Sequence, residues 1–432
     1  MALCKKKAKG KPRKLEKVSP FMNGFKKFRL SWLLMLANGA LCLTLQGASV
    51  DQFSWFSQCA HATVPAKLLE PPFTSPTNTL PLVIYLENLA APRVGTESDE
   101  ELLQGFLTNR MRVLILDYQH ASQARVPWLN QDLFDLRKAV QTRGLIPGYS
   151  IDKAHVYLVP SGCNLKQNVV FDRETDRSLA LDIIYPVHPA RPSGAVLEFS
   201  CDNVNRMGNA SLVICSDTIL DGEATEGMAV AMADHPVKAP YKGLDPMPEC
   251  CWIIKAAVRT LRVEGRELGL NGRIAMDGFS RGSGMALMLV TTMGMPEFEG
   301  HGLNIGESSD VQGAVVMSGR FTYLQILPKD HMLPRYNAAW GDLEHHRDFW
   351  KREGAMDYLN QATLPLFLTI NCGEGPDAQF QMTVLRQKLA VLGSDEIFMM
   401  DHEKRGHKVT LVPEILDGIN RYFKSRLDAD NQ

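Results

Sequence analysis

The feature that most constrains this chain is the pentapeptide Gly278-Phe279-Ser280-Arg281-Gly282. A strand-like run, RIAMD, precedes it, and a segment of helical composition, SGMALMLVTT, follows it. Glycines two places before and two places after a serine allow a turn so sharp that any Cβ there would collide with neighbouring backbone. The pattern therefore predicts a strand-turn-helix unit whose serine stands exposed at the carboxyl edge of a sheet.

Strand-like and helix-like segments alternate along the rest of the chain. A capping box at residues 98–101 predicts a helix through Met111, and apolar residues at helical spacing predict helices over residues 129–143 and 254–268. An Asp-rich hairpin is expected at residues 171–186. Short apolar runs predict buried strands at residues 82–86, 113–118, 155–159, 195–199, 230–234 and 273–277. This alternation is typical of an α/β fold in which helices flank a mostly parallel central sheet.

The order of these segments recurs, which predicts the internal duplication of a strand-helix-strand-helix-strand unit. In the first copy, YLVPSGCN at residues 157–164 stands where the second has AMDGFSRGSG at residues 275–284. The first copy therefore lacks the sharp glycine-flanked turn.

The N-terminus has the pattern of a leader. Residues 1–30 hold eleven Lys or Arg and one Glu, a charge of +10, and a mostly apolar run at residues 30–45 follows, then Gly47, Ala48 and Ser49. This pattern predicts a secretory signal peptide within residues 1–49. An uncleaved membrane anchor is the alternative, although a spanning helix needs about 20 apolar residues. We expect a secreted or periplasmic protein whose membrane association, if the leader is retained, runs through this segment only.

The composition limits the kinds of molecule that this protein is expected to bind. The formal net charge of −1 leaves −11 for the chain after residue 30, which lacks the basic footprint of a nucleic-acid-binding protein. Seven cysteines follow the leader, so at least one thiol is unpaired or pairs with another chain. No Cys and His spacing is typical of a zinc site, and no metal is expected.

The chain divides into four parts by composition. Residues 1–49 are the leader, and residues 50–79 are rich in Pro, Ser and Thr without periodicity, which predicts a linker. Residues 80–165 are predicted to form an N-terminal α/β extension, and residues 166–428 are predicted to form the domain that carries the Ser280 turn.

Residues 166–425 resemble the α/β-hydrolase fold. They look most like the esterase and lipase-like branch that includes carbohydrate esterases of the feruloyl- and acetylxylan-esterase kind. LALDIIYPVHP matches the family's opening hairpin, AVLEFS its third strand, and KAAVRTLRVEGRELGLNGRIAMDGFSRGSG its helix and nucleophile elbow. Family members use a Ser, Asp or Glu, and His triad in that chain order, and they need no cofactor.

The resemblance implies that Ser280 is the nucleophile. The family places its acid a few residues beyond the apolar strand at residues 364–370, which points to Asp377, with Glu374 as the alternative. An Asp at this position could instead cap the helix that follows. His407, which follows Gly406 as in the family's Gly-His pattern, is favoured as the base over His402, which lies near a strand end.

The second oxyanion donor departs from the family pattern. Family members often carry a HGGG segment after the third strand, whereas residues 199–203 here are FSCDN, without a glycine. The backbone N–H of Arg281 is one expected donor, and the backbone N–H of Cys201 or Asp202 is a second. The Arg281 side chain could take this role, as is thought for glucuronoyl esterases, which also carry Arg after the nucleophile, or it could pair with an acidic neighbour.

These features predict an exported serine hydrolase that cleaves carboxylic esters through an acyl-enzyme, on a neutral or weakly charged small molecule or polysaccharide. Two alternatives stay open: a serine peptidase of the prolyl-oligopeptidase type, for which the chain is too short to hold a full propeller, and a non-catalytic binding protein that retains the fold. Aromatic residues at 319–350 could line a sugar or aryl pocket or simply pack: Tyr323, Tyr336, Trp340 and Trp350.

Overall fold

The computed structural model describes residues 49–57, 62–87, 99–117, 133, 135–140, 146, 148–173, 178–187, 189, 194–199, 206, 228–234, 244, 246–361, 363–409 and 412–428. Within these residues, no helix is both long enough and apolar enough to span a bilayer.

Strands and helices follow one another in these ranges, and many of the strands are buried on both faces. In chain order they are β1 (Ser49–Ser57), β2 (Ala62–Glu70), β3 (Leu80–Glu87), α1 (Asp99–Thr108), β4 (Arg112–Asp117), β5 (Ile151–Pro160), β6 (Cys163–Arg173), β7 (Ser178–Pro186), β8 (Ala195–Phe199), β9 (Ala229–Ala233), α2 (Glu249–Glu267), β10 (Ile274–Phe279), α3 (Arg281–Thr291), α4 (Pro296–Glu299), β11 (Ala314–Met317), α5 (Leu333–Trp340), α6 (Arg347–Glu353), a 3-10 turn (Ala355–Tyr358), β12 (Leu366–Asn371), α7 (Pro376–Leu392), β13 (Glu396–Asp401) and α8 (Pro413–Leu427).

The larger sheet has eight strands in the order β13-β12-β11-β10-β8-β9-β7-β6. Only β7 runs antiparallel to its neighbours, β6 and β9, and the pairs from β9 to β13 are parallel. Strands β8, β9, β10 and β12 are buried along their whole length, which explains their continuous apolar runs. Helices α2 and α3 pack on one face and α8 on the other. The carboxyl ends of the parallel strands therefore meet at one edge.

The smaller sheet has five strands in the order β1-β2-β4-β3-β5. Its β3, β4 and β5 are mutually parallel, while β2 is antiparallel to both β1 and β4. The first five strands of the larger sheet repeat this order and these directions as β6-β7-β9-β8-β10. The two sheets thus share one strand topology over five strands.

The two sheets pack through a shared apolar cluster. Ile184 of β7 and Val230 and Met232 of β9 lie in the same buried cluster as the side chains of β1–β5. A buried polar contact also crosses the junction, because the Tyr157 hydroxyl of β5 donates a 2.8 Å hydrogen bond to Asp182 of β7. The extension is therefore joined to the larger sheet by packing as well as by the chain.

The predicted linker at residues 50–79 is wrong, since β1 and β2 occupy most of it. Phe53 and Trp55 are buried in β1, and Val64, Ala66 and Leu68 are buried in β2. Every second residue faces the core, and the Ser, Thr and Pro residues between them hide this period of two. Pro65 pairs only with β1, outside the β2–β4 ladder, where a missing N–H is tolerated.

The other predicted segments mostly have counterparts among the described residues. The Asp-rich hairpin corresponds to β6 and β7, and the strands predicted near residues 82, 113, 155, 195, 230 and 273 correspond to β3, β4, β5, β8, β9 and β10. The predicted helix at residues 129–143 is described, and helical, at residues 135–140. The capping box helix ends at Thr108, three residues earlier than predicted.

Candidate active site

Ser280 occupies a sharp turn between β10 and α3. Its φ of +58° and ψ of −117° are rare for a residue with a Cβ. A Cβ on Gly278 would come within 2.3 Å of the Gly282 carbonyl oxygen, and a Cβ on Gly282 within 2.5 Å of the Phe199 carbonyl oxygen. Both glycines are required, because the turn folds closely on itself and against the end of β8.

His407 lies beside Ser280, in the loop between β13 and α8. Its Nε2 is 2.8 Å from the Ser280 Oγ, and its Nδ1 is 2.9 Å from both carboxylate oxygens of Glu374. The His407 side chain is 51% exposed, whereas the Glu374 side chain is 2% exposed. A serine hydroxyl, an imidazole and a buried carboxylate thus form a continuous hydrogen-bonded line, as proton transfer from the serine requires.

Three further residues support the hydrogen-bonded line from Ser280 to Glu374, and none of them was predicted from the sequence. The Ser318 hydroxyl, just after β11, donates to Glu374, and the Phe279 ring packs against the His407 ring at 4.8 Å between centroids. The Asn371 side-chain oxygen, at the end of β12, accepts from the N–H of Gly373 at 2.7 Å and of Arg405 at 3.2 Å. Asn371 therefore ties the turn of the acid to the loop of the histidine. Polar residues directly after parallel strands were the available signal.

The structure places Glu374, and not the preferred Asp377, beside His407. Asp377 lies in the first turn of α7, where its Oδ2 is 2.8 Å from the Nδ1 of His331 and 3.6 Å from the Nη2 of Arg320. Both ring nitrogens of His407 are already engaged by Glu374 and Ser280. Glu374, the alternative, precedes α7 and reaches back over the strand end. Asp377 is one helical turn further on and faces a different histidine.

Four other residues were candidates for the site: Arg281, Cys201, Asp202 and His402. Arg281 begins α3 beside Ser280, and it lines the same cavity as the serine. Cys201 and Asp202 lie outside the described residues, so the second oxyanion donor stays a prediction. The His402 carbonyl accepts from the Cys372 thiol at 3.2 Å, and the described contacts of its ring do not include Ser280.

Ser280, His407 and Glu374 line a cavity of about 850 Å³. The cap segment (residues 319–350) forms another part of its wall, through Tyr323, Tyr336 and Trp340. The Tyr336 and Trp340 rings stack 5.0 Å apart at 7°, and the edge of Tyr323 meets both. Trp350 is fully buried and packs behind them. Three of the four aromatic residues singled out in the sequence therefore face the cavity.

Asp330, His331 and Asp377 place three candidate metal-ligand atoms within 4.8 Å of one another. The Arg320 guanidinium already pairs with both carboxylates, at 2.7 Å to Asp330 and 3.6 Å to Asp377. A cation would have to displace this guanidinium. The Arg320 guanidinium therefore already supplies a positive charge to these two carboxylates.

A pair of buried carboxyls lies beneath the turn. Asp277 of β10 and Glu198 of β8 are in register on neighbouring parallel strands, so their side chains share one face of the sheet. Both are almost wholly inaccessible to solvent. Burial raises the pKa of the Asp277 carboxyl well above its ordinary value, and the N–H of Gly278 opposes the shift.

Solved structures are similar to this chain over 60–61% of its length. A truncated carbohydrate esterase from gut microbiota has a TM-score of 0.51 and 16% identity, covering 61% of this chain and 96% of its own. A bifunctional GH43-CE protein from Bacteroides eggerthii has a TM-score of 0.50 and 17% identity, covering 61% of this chain and 38% of its own. A thermophilic esterase from Thermogutta terrifontis with propionate bound has a TM-score of 0.45 and 16% identity, covering 60% and 93%.

No protein-family model matches the sequence, and no curated protein matches it. At 16–17% identity, the first two likenesses establish a shared fold alone. The resemblance to carbohydrate esterases is confirmed at that level by the first two structures, at low identity.

Proposed function

We propose that this protein is a serine hydrolase that cleaves carboxylic esters, with Ser280 as nucleophile, His407 as general base and Glu374 as the acid. One observation carries the proposal: the hydrogen-bonded line from the Ser280 Oγ through both nitrogens of His407 to Glu374, with 2.8 Å and 2.9 Å links, at the wall of a large cavity.

In the proposed reaction, the Ser280 Oγ attacks the ester carbonyl while the Nε2 of His407 takes the hydroxyl proton. Glu374 accepts a hydrogen bond from Nδ1–H, which fixes the tautomer and stabilises the imidazolium. His407 then returns the proton to the leaving alcohol, and the acyl group stays on Ser280. Water, deprotonated by His407, attacks the acyl-enzyme and releases the acid and the free serine.

The N-terminus of α3 supports oxyanion stabilisation. The N–H groups of its first turn point away from the helix body toward the end where Ser280 lies, and the helix dipole favours negative charge there. Arg281 is the residue whose N–H follows the nucleophile directly. We assign it as the first oxyanion donor and keep Cys201 or Asp202 as the second.

We assign the larger sheet to the α/β-hydrolase fold. The eight strands, the strand-turn-helix unit after β10 and the Ser, Glu, His order along the chain support this assignment. The smaller sheet is then a degenerate copy of the first five strands, since β1–β5 repeat the order and directions of β6–β10.

A carbohydrate ester is our first substrate class, because a structural neighbour is described as a carbohydrate esterase and aromatic side chains line the cavity. Export through the N-terminal leader belongs to the same proposal. A serine peptidase is the alternative, since the same triad cleaves amides.

Three substrates with the purified protein test this proposal. We expect hydrolysis of p-nitrophenyl acetate and of a methyl glucuronate ester, and no cleavage of a Pro-containing peptide amide. Cleavage of the peptide at rates above those for the esters would favour the peptidase. Absence of turnover with all three would favour a binding protein that retains the fold.

A further inference from the structure

The carboxylates on the cap side of the cavity each accept hydrogen bonds from protein donors. Asp377 accepts from the backbone N–H and the ring of His331, and Asp330 accepts from Arg320 and from the N–H of Met332. Glu353 accepts from the N–H of Met247 at 3.1 Å and 3.2 Å. A ligand that brings mainly hydrogen-bond donors would therefore meet carboxylates that are already engaged.

Donors in the same region are available. Tyr336 is 3% exposed and lines the cavity, yet within the described residues its hydroxyl has no hydrogen-bond partner. The same holds for the Tyr323 hydroxyl, and Lys329, exposed in the cavity wall, forms no ion pair with a described residue. Both residues line the cavity, so a bound ligand can supply the acceptor that neither hydroxyl has among the described residues.

The surrounding charge favours an acceptor that is negative. Four cationic side chains line the cavity, Arg281, Arg320, Lys329 and Arg335, against three carboxylates, Glu353, Glu374 and Asp377. Burial raises the pKa of the Tyr323 hydroxyl to about 12, while the charges of Arg320 and Arg281 lower it, so both guanidinium groups act on this hydroxyl. Tyr323 and Tyr336 thus stay protonated donors at neutral pH beside fixed positive charge.

We propose that the cap side of this cavity is a carboxylate-binding subsite, built from the Tyr323 and Tyr336 hydroxyls and Lys329, so that the substrate is an ester that also carries a free carboxylate. This rests on the proposed ester hydrolysis at Ser280. It differs from the neutral ester that the chain's overall negative charge predicts, because the local donors outweigh that charge inside the cavity.

Two matched substrate pairs test the subsite in turnover. Mono-(4-nitrophenyl) glutarate and 4-nitrophenyl butyrate place or omit a carboxylate on the acyl part, and 4-acetoxybenzoate and its methyl ester do so on the alcohol part. A charged hydrogen bond in such a site is worth about a ten- to hundredfold change in binding, so we expect kcat/KM to favour one anionic partner by about tenfold or more.

The variants are Tyr336→Phe, Tyr323→Phe and Lys329→Met, which remove single donors and keep the packing. Each is expected to reduce the anionic preference by about three- to tenfold. Tyr358→Phe and Lys351→Met are the matched controls, because both lie outside the cavity lining. They should keep the wild-type ratio.

A binding measurement separates the subsite from catalysis. Glutarate should raise the melting temperature of the full chain, glutaramide should not, and the glutarate effect should shrink in Tyr336→Phe and Lys329→Met. If no ester is cleaved but glutarate stabilises the protein in this way, the ester function fails and the subsite stands. If esters are cleaved without any anionic preference, or if glutarate and glutaramide act alike, the subsite is overturned.

Discussion

Ser161 and Ser280 lie at equivalent places in the two sheets. Ser161 is three residues beyond Leu158 of β5, and Ser280 is three residues beyond Asp277 of β10. Ser161 is 5% exposed, and its hydroxyl donates to the Asp99 carboxylate at 2.6 Å. Ser280 faces His407 at 2.8 Å. After Ser161 the chain enters β6 at once, whereas after Ser280 it turns into α3. The same strand topology therefore presents a serine in both places, and only the turn into a helix makes it accessible.

The two sheets also differ in the strands that lie beyond β5 and beyond β10. Glu374 and His407 follow β12 and β13, which lie beyond β10 in the larger sheet. In the described part of the smaller sheet, β5 is the last strand, so no strand there corresponds to β11, β12 or β13. Among the described residues, the larger sheet therefore has three strands beyond β10, and Glu374 and His407 follow two of them.

The strands beneath the two serines also differ. In the smaller sheet, Leu158 pairs with Ile84, and in the larger sheet, Asp277 pairs with Glu198 at the equivalent register position. Both pairs are buried. Two buried carboxyls thus lie beneath the Ser280 turn, where the smaller sheet has an apolar pair, and their burial costs free energy.

The largest effect should separate the two serines. Ser280→Ala is expected to lower kcat/KM for p-nitrophenyl acetate by about 10⁴-fold or more, because the nucleophile is lost. Ser161→Ala should stay within about twofold, because this hydroxyl binds Asp99 and Tyr85 of the smaller sheet's side of the molecule and does not line the cavity. Steady-state kinetics on both variants gives the comparison. Equal losses would show that the serines are not different in role.

The second effect separates the two carboxylates after β12. Glu374→Gln should lower kcat by about 10³-fold or more, since an amide no longer holds the imidazole tautomer or stabilises its cation. Asp377→Asn should cost less than about tenfold on the same small neutral ester, because its hydrogen-bond partner is His331. If Asp377→Asn is the more damaging variant, the assignment of the acid is contradicted.

The third effect concerns backbone strain in the two units. Gly282→Ala should destabilise the protein by about 2–4 kcal/mol, because its Cβ would come within 2.5 Å of the Phe199 carbonyl oxygen. Gly105→Ala, at an exposed position inside α1 where no described atom outside the helix backbone lies within 4 Å of the added Cβ, should stabilise it by about 0.5–1 kcal/mol. Urea denaturation measures both. A tolerated Gly282→Ala would mean that the turn can relax.

The smallest effect concerns the buried carboxyl of Asp277. Its raised pKa means that the folded state holds the proton to a higher pH than the unfolded state does. Stability is therefore lost as pH rises from the ordinary carboxyl pKa toward the raised one. Asp277→Asn removes this loss, so its free energy of unfolding relative to wild type should be more favourable at pH 8 than at pH 5.

The control for this measurement is Asp395→Asn, at an exposed carboxyl before β13, which should leave the pH dependence unchanged. An Asp277→Asn difference that is the same at pH 5 and pH 8 would contradict a proton held in the folded state. Denaturation at several pH values supplies both curves.

The sequence was sufficient for the turn around Ser280 and for the order of its partners. Glycines at fixed offsets, a strand before them and a helix after them are local features, and local features survive folding. His407 was predicted from the resemblance, because it follows Gly406 in the loop between the last strand and the last helix, and the structure places it 2.8 Å from Ser280. These predictions needed no knowledge of distant contacts.

The acid could not be found so directly. Glu374 and Asp377 lie three residues apart after one strand, and both are carboxylates near a histidine in space. The distinction depends on where α7 begins and on which loop lies above each side chain. Those are tertiary facts, set by Asn371 and Ser318, which sequence spacing does not report.

The first two strands were missed for another reason. In β1 and β2, polar residues or proline fill most of the outward positions, so the segment has the average composition of a loop. Counting residues over a window removes the period of two that defines a half-buried strand. The alternation of Phe53 with Trp55, and of Val64 with Ala66 and Leu68, was the available signal.

Covalent labelling of Ser280 tests the central claim most directly. The purified protein is treated with a fluorophosphonate, and the modified residue is located by peptide mass spectrometry in wild type, Ser161→Ala and Ser280→Ala. We predict one adduct on Ser280 in the first two proteins and none in the third. An adduct on another serine, or an unlabelled wild-type protein, would contradict the account.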